Sequence, residues 1–176
     1  IKACGGEDLQ ILVPRKQGCL LSCDQLNPIL QPILNPQFKT GAPSVEKFQV
    51  GDRIIQTKND YNLDVMNGEV GIVTKVDPAK WTLWVAIDDR VVEFKPGSQD
   101  DLELAYALTI HKSQGSEFKT VFIVMHSQHF IMLRREILYT AVTRAQENVV
   151  LFGSKKAYRQ AASKNAIAPR YTGLFA

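Results

Sequence analysis

The texture of the chain changes twice along its length, and this limits the possible folds more than any single motif does. Between Gln49 and Phe94 short β-rich runs follow one another: Arg53 to Thr57, Val70 to Val76, Trp81 to Ile87 and Val91 to Phe94. Asn67-Gly68 and Asp77-Pro78 mark turns between them. So many short strands in so short a stretch predict a small β-barrel. On either side, strands alternate with helices. Gln10 to Val13 reads as a short buried strand closed by Pro14. After Leu102 the order is strand, polar loop, strand at 121–125, helix at about 133–145 and strand at 148–152. A last helix runs from Ser154, as N-cap, to about Ser163. The small β unit therefore interrupts one α/β domain instead of following it.

One stretch resists a simple reading. Residues 22–34 carry apolar positions 26, 29, 30, 33 and 34, a helical stripe, but Pro28 and Pro32 break it. Asn27 as a cap with Pro28 in the first turn rescues part of the helix, and Pro32 still removes a hydrogen bond. Residues 35–45, with two prolines and a glycine, read as a linker into the β unit.

Two segments carry the chemistry. AYALTIHKSQGSEF, Ala105 to Phe118, runs from an apolar strand into a cluster of donors. Lys112 supplies a cation and Thr109 and Ser113 supply hydroxyls. Gly115 lets backbone N–H groups approach a phosphate closely. Loops of this kind at the end of a buried strand are where α/β proteins place their chemistry. EILYTAVTRAQENVVLF, residues 136–152, has an apolar face at Ile137, Leu138, Ala141, Val142 and Ala145. Tyr139, Thr140, Thr143 and Arg144 lie between or beside those positions, and Arg144 falls where helix gives way to strand. A guanidinium there suits a transferring phosphoryl group, and also suits a helix C-terminus.

Charge is uneven. Of 176 residues, 1–104 hold 11 Lys/Arg against 15 Asp/Glu, a net −4, while 105–176 hold 10 against 3, a net +7. The basic part is the part with both segments, which points towards a polyanion such as nucleic acid. No apolar run approaches a membrane span. Cys4, Cys19 and Cys23 are odd in number and suit a reduced, cytoplasmic protein better than a disulfide framework. No fourth ligand completes a zinc site with them, and His126 and His129 have no third ligand nearby, so no metal site is expected. The chain starts without Met, as a fragment does, and contains no G-x-x-x-x-G-K-[ST] string.

TIHKSQGSEF resembles motif V, and LYTAVTRAQ motif VI, of superfamily 1 helicases of the RecD-like branch, the family of the exodeoxyribonuclease V alpha subunit. They stand in the right order, roughly twenty residues apart. ILVPRKQG resembles motif IV, and VGDRIIQTKNDYNLDVMNGEVGIV resembles the SH3-like barrel inserted in the second motor domain of these enzymes. The resemblance covers nearly the whole chain. It implies an α/β, RecA-like parallel-sheet motor domain over 1–46 and 103–176, interrupted by an SH3-like barrel over 47–102.

By the same resemblance, this is the C-terminal portion of an ATP-dependent DNA helicase that moves 5′ to 3′ on single-stranded DNA in recombination or repair. Arg144 is implied as the arginine finger, with Lys16, or the adjacent Arg15, reaching the γ-phosphate. Gln114, Gly115 and Glu117 lie near the nucleotide in this reading, although Glu117 equally suits a plain surface carboxylate. Thr109, His111, Lys112, Ser113 and Thr140 are implied to grip the strand. Asn59 and Tyr61 of the barrel join them as strand contacts or serve simply as turn formers. ATP and Mg²⁺ are expected to be held mainly by an N-terminal motor domain of the same polypeptide, so the fragment alone should hydrolyse no ATP. Other subunits of a helicase–nuclease complex are a further implied class of partner. Two rivals remain: a non-catalytic nucleic-acid clamp, and a relaxase-linked or Pif1-like helicase fragment.

Overall fold

In the computed structural model, which describes residues 9–164, the elements run β1 (Leu9–Val13), α1 (Cys23–Leu34), β2 (Arg53–Gln56), β3 (Val70–Asp77), β4 (Thr82–Ile87), β5 (Arg90–Phe94), β6 (Leu102–Leu104), β7 (Ala107–Thr109), β8 (Phe118–Met125), a 3₁₀ turn (Ser127–His129), α2 (Arg135–Val142), β9 (Ala145–Gly153) and α3 (Lys155–Ser163). They form two sheets. One is parallel in the order β7-β1-β8-β9, and the other is five-stranded in the order β5-β4-β3-β2-β6. In the second sheet every pairing is antiparallel. The expected α/β sheet and its β insertion are both present.

Strand β1 is central because all five of its residues are buried, as a parallel strand covered on both faces requires. Its side chains alternate. Leu12 joins a core with Val121, Ile123, Met125, Leu133, Ile137 and Ala141. Ile11 and Val13 join another with Phe122, Cys23 and, from α1, Leu26 and Leu30. Helix α1 therefore covers one face of the sheet, and α2 and α3 cover the other. Each fully buried Leu or Ile contributes about 1.5–3 kcal/mol.

The prolines do not break α1, which is continuous from Cys23 to Leu34 with Pro28 and Pro32 inside it. This corrects the expectation of a helix beginning near Asn27. Both prolines are exposed, so the carbonyls they leave unpaired, those of Asp24 and Pro28, lie on the solvent side of the helix. The buried stripe is also not the apolar one. Ile29 and Ile33 are 59% and 50% exposed, whereas Cys23, Asn27, Gln31 and Asn35 face inward.

That polar stripe fastens both ends of the insertion. Asn27 Nδ2 donates to the carbonyls of Leu104 (2.8 Å) and Ala107 (3.1 Å), and Asn27 Oδ1 accepts from Ala107 N–H (2.7 Å). Gln31 Nε2 donates to Lys47 O (2.8 Å) and to Asp52 Oδ2 (2.5 Å). Asn35 Nδ2 donates to Val50 O (3.0 Å) and to Asp52 Oδ1 (2.8 Å). Asp52 is fully buried and also accepts from Gln49 N–H (2.7 Å) and Tyr106 Oη (2.8 Å). Burial and the neighbouring Asp52 push the Tyr106 hydroxyl up, so it stays protonated and donates. Gly51, with φ of +85°, lies so close to Asn35 Oδ1 that a Cβ there would collide with it. Residues 35–52 are thus docked on α1.

Other differences are local. Strands β6 and β7 are separated only by Ala105 and Tyr106, yet β6 pairs with β2 and β7 with β1. Helix α2 ends at Val142, earlier than the periodicity suggests. The chain turns at Thr143, and Ala145 already pairs with Phe118.

Candidate functional site

The loop after β1 is closed against α1. The carbonyls of Arg15 and Lys16 accept from the N–H groups of Cys23 (3.1 Å) and Asp24 (3.0 Å), donors that a helix start otherwise leaves unpaired. With its backbone held, Lys16 extends its side chain to Glu103 of β6, Nζ to Oε1 2.6 Å. Lys112 reaches the other oxygen of the same carboxylate, Nζ to Oε2 3.2 Å. Burial opposes ionisation of Glu103, but its bonds to Lys16 and Lys112 prevail and hold it below the usual carboxylate range. The Lys16 ammonium is correspondingly held above its ordinary value by Glu103. Cys23, beside this loop, is pushed up to about 12 by burial, which makes it inert as a nucleophile.

The loop after β7 is a run of tight turns. Ser113 N–H donates to Thr109 O, Gln114 N–H to His111 O and Ser116 N–H to Ser113 O, each at 3.2 Å. Thr109 Oγ1 accepts from Lys112 N–H (3.2 Å), so this hydroxyl fixes the lysine's backbone. Gly115 has φ of +91° with open space around it, a conformation L side chains rarely adopt. Ser113 departs from the expected ligand-facing hydroxyl: it is fully buried, and its Oγ donates to Ile110 O (2.8 Å). Burying Ser113 turns its neighbours outward. His111, Gln114, Gly115 and Glu117 are exposed.

Arg144 lies between α2 and β9. Its Nε donates to Thr140 O (3.3 Å), Nη1 to Ser116 O (3.1 Å) and Nη2 to Thr143 Oγ1 (3.3 Å). None of these acceptors carries a charge. The backbone is pinned as well, because Arg144 O accepts from Phe118 N–H (2.9 Å). Beside it Gln146 Nε2 donates to Glu117 Oε2 (3.3 Å).

The sequence-derived residues therefore fall into two clusters joined by one loop. The first half of the Thr109–Glu117 segment meets Lys16 through Glu103, and its second half meets Arg144 through Ser116. No ion pair or hydrogen bond among the described residues joins Lys16 or Arg15 to Arg144. Thr140 contributes its carbonyl to Arg144. Asn59 and Tyr61 are in a third place, on the loop after β2. Asn59 Oδ1 accepts from Asn67 N–H (2.8 Å) and Asn59 Nδ2 donates to Tyr61 Oη (3.2 Å). Tyr61 is 78% exposed. Glu103 was missed by sequence reasoning, since a lone acid in a short strand gives no local signal.

His129, which had read as a loop residue, is fully buried in the 3₁₀ turn. Its Nδ1 accepts from His126 N–H (3.1 Å), so Nε2 carries the proton and donates to Leu21 O (3.1 Å). Burial, with His126 and Arg15 nearby, depresses its affinity for a second proton, outweighing the Leu21 bond. A histidine with a depressed folded pKa binds more protons when unfolded. Its stabilising contribution is therefore complete above about pH 6.5 and is lost as pH falls below that value. We expect the urea midpoint to drop between pH 7.5 and 5.5, and to drop less in His129→Gln. Equal drops in the two proteins would show that His129 is not the titrating group.

A parallel sheet with charged loops along its strand ends, interrupted by a five-stranded antiparallel unit, is the architecture expected of a helicase motor domain with an SH3-type insertion. Comparison bears this out: residues 104–152 match the UvrD-like helicase C-terminal domain, and residues 26–87 match the SH3 domain of ATP-dependent RecD-like DNA helicases. Both segments are thus similar to parts of RecD-like helicases. The chain is 40% identical over 156 residues to the ATP-dependent RecD2 DNA helicase of Deinococcus radiodurans, covering 89% of this chain and 21% of that protein. It is 36% identical over 136 residues to the RecBCD enzyme subunit RecD of Mycobacterium tuberculosis, covering 77% and 23%. The chain thus spans under a quarter of the length of either relative. Among solved structures, Bacteroides Pif1 bound to single-stranded DNA shares the fold, with a TM-score of 0.59 and 21% identity over 85% of this chain and 42% of that one. No helix among the described residues is long and apolar enough to cross a membrane.

Proposed function

We propose that this chain is the second motor domain, interrupted by a small β unit that starts at about residue 47 and closes with β6 (Leu102–Leu104) instead of at residue 102, of a cytoplasmic ATP-dependent helicase acting 5′ to 3′ on single-stranded DNA. The observation that carries the reading is Arg144, a guanidinium held by three uncharged acceptors and tied through Ser116 to the Thr109–Glu117 loop. Its charge has no ion-pair partner among the described residues and is available to a phosphoryl group. ATP with Mg²⁺ supplies that group when bound, chiefly on the first motor domain of the same polypeptide. Arg144, with Lys16 or Arg15, neutralises the charge that develops on it. Gln114, Gly115 and Glu117 flank the nucleotide. His111, Lys112, Thr109 and Thr140 hold the strand, Ser113 supports their loop from beneath, and Asn59 and Tyr61 offer a stacking surface. Further subunits of a helicase–nuclease complex are the partners this reading allows.

The test is strand binding by the full-length protein at several salt concentrations. Lys112→Ala should weaken binding to a single-stranded oligonucleotide and lower the slope of log K against log salt by about 0.7, one phosphate contact. An unchanged affinity and slope would remove Lys112 from the strand interface.

A further inference from the structure

We propose that Glu103 is a positioning residue that sets nucleotide binding against strand binding, by holding Lys16 and Lys112 on its two carboxylate oxygens. The inference rests on the nucleotide and strand roles proposed above for those lysines. Glu103 belongs to the five-stranded antiparallel sheet, not to the parallel one. Its neighbours Leu102 and Leu104 are buried in the core of that sheet, and β6 is paired to β2 with Glu103 opposite Ile55. The backbone beneath the carboxylate is therefore fixed, and only its side chain emerges between the two motor loops. Lys16 is anchored just as firmly through its carbonyl on α1, and Lys112 through Thr109. What remains free to move is the two ammonium groups.

Two cations share one anion, with Nζ–O separations of 2.6 and 3.2 Å. Neither lysine makes another ion pair among the described residues. A phosphate that draws Lys16 away leaves the whole carboxylate to Lys112, whose ammonium is then held more tightly and is less available to the strand. A strand phosphate that draws Lys112 away does the same to Lys16. Each ligand thus weakens the other, reciprocally, as any linkage must. Because the three groups are only partly buried, this antagonism is about 2- to 5-fold in affinity. Its direction suits a motor that must loosen one grip as it takes another.

The experiment uses the full-length protein and a fluorescent oligo(dT) strand, with and without the non-hydrolysable analogue AMP-PNP and Mg²⁺. The quantity read is the ratio of strand Kd with nucleotide to strand Kd without it. Glu103→Gln should tighten strand binding in the absence of nucleotide and lower that ratio about 2- to 5-fold relative to the parent. Glu103→Asp, which keeps the charge, should restore part of the ratio. A carboxylate that merely stabilised the fold would alter neither. If Glu103→Gln keeps the parental ratio while Lys112→Ala weakens strand binding, the coupling is wrong and the strand role stands. If Lys112→Ala leaves strand binding unchanged, the strand role falls and the coupling falls with it.

Discussion

Arg144→Ala in the full-length protein is expected to lower kcat for ATP hydrolysis by about 10³-fold or more, the loss that accompanies removal of an arginine finger. Strand affinity should change little, because Arg144 belongs to the cluster at the start of β8 and β9 and not to the Lys16–Glu103–Lys112 group. Arg144→Lys is the sharper variant. It keeps the positive charge but loses the planar fork, which here divides its donors among Thr140, Ser116 and Thr143. An arginine that only complements the end of α2 contributes about 0.3–1 kcal/mol to stability and nothing to turnover. Parental hydrolysis rates for both variants would reduce Arg144 to that role and take away the principal catalytic residue of the proposal.

The second large effect is structural. Asp52→Ala should destabilise the joint between insertion and motor by about 3–5 kcal/mol, since it leaves buried donors with no acceptor. Four of them converge on this carboxylate, from Gln31, Asn35, Gln49 and Tyr106. Native-state hydrogen exchange at the amides of β2 should report the loss. Asp52→Asn should not rescue it, because an amide presents N–H groups to a ring of donors. Tyr106→Phe should cost only about 1 kcal/mol, one hydrogen bond with the other three donors kept. A β2 whose exchange is unaffected by Asp52→Ala would show that the joint is held by apolar packing alone.

The sequence showed the alternation of textures, and with it both sheets, because strand and turn chemistry act over a few residues. It also pointed to the loop around Lys112 and to Arg144, whose neighbours in the chain are informative. The inward face of α1 was not legible. Apolar periodicity selected Ile29 and Ile33, which are exposed, whereas Asn27, Gln31 and Asn35 recur every fourth residue and are buried because the carbonyls of Lys47 and Val50, the Asp52 carboxylate and backbone groups from 104–107 arrive to bond them. Those partners are distant in sequence. Strand β6 was hidden for the same reason, since three residues become a strand only when β2 lies alongside, and Glu103 was hidden with it. The prolines misled because their effect depends on which side of the helix loses its bonds. Ser113 misled because its type suggests a ligand while its burial makes it a prop.

Ile54 and Ile55 are adjacent on β2, and both are almost wholly buried, yet Ile54 lies in the core of the five-stranded sheet and Ile55 in that of the parallel sheet. A swinging domain needs a slip plane along which two bodies part, and here the strand that would border such a plane is embedded in both. Strand β2 therefore works as a rivet through both bodies: it cannot leave one core without opening the other.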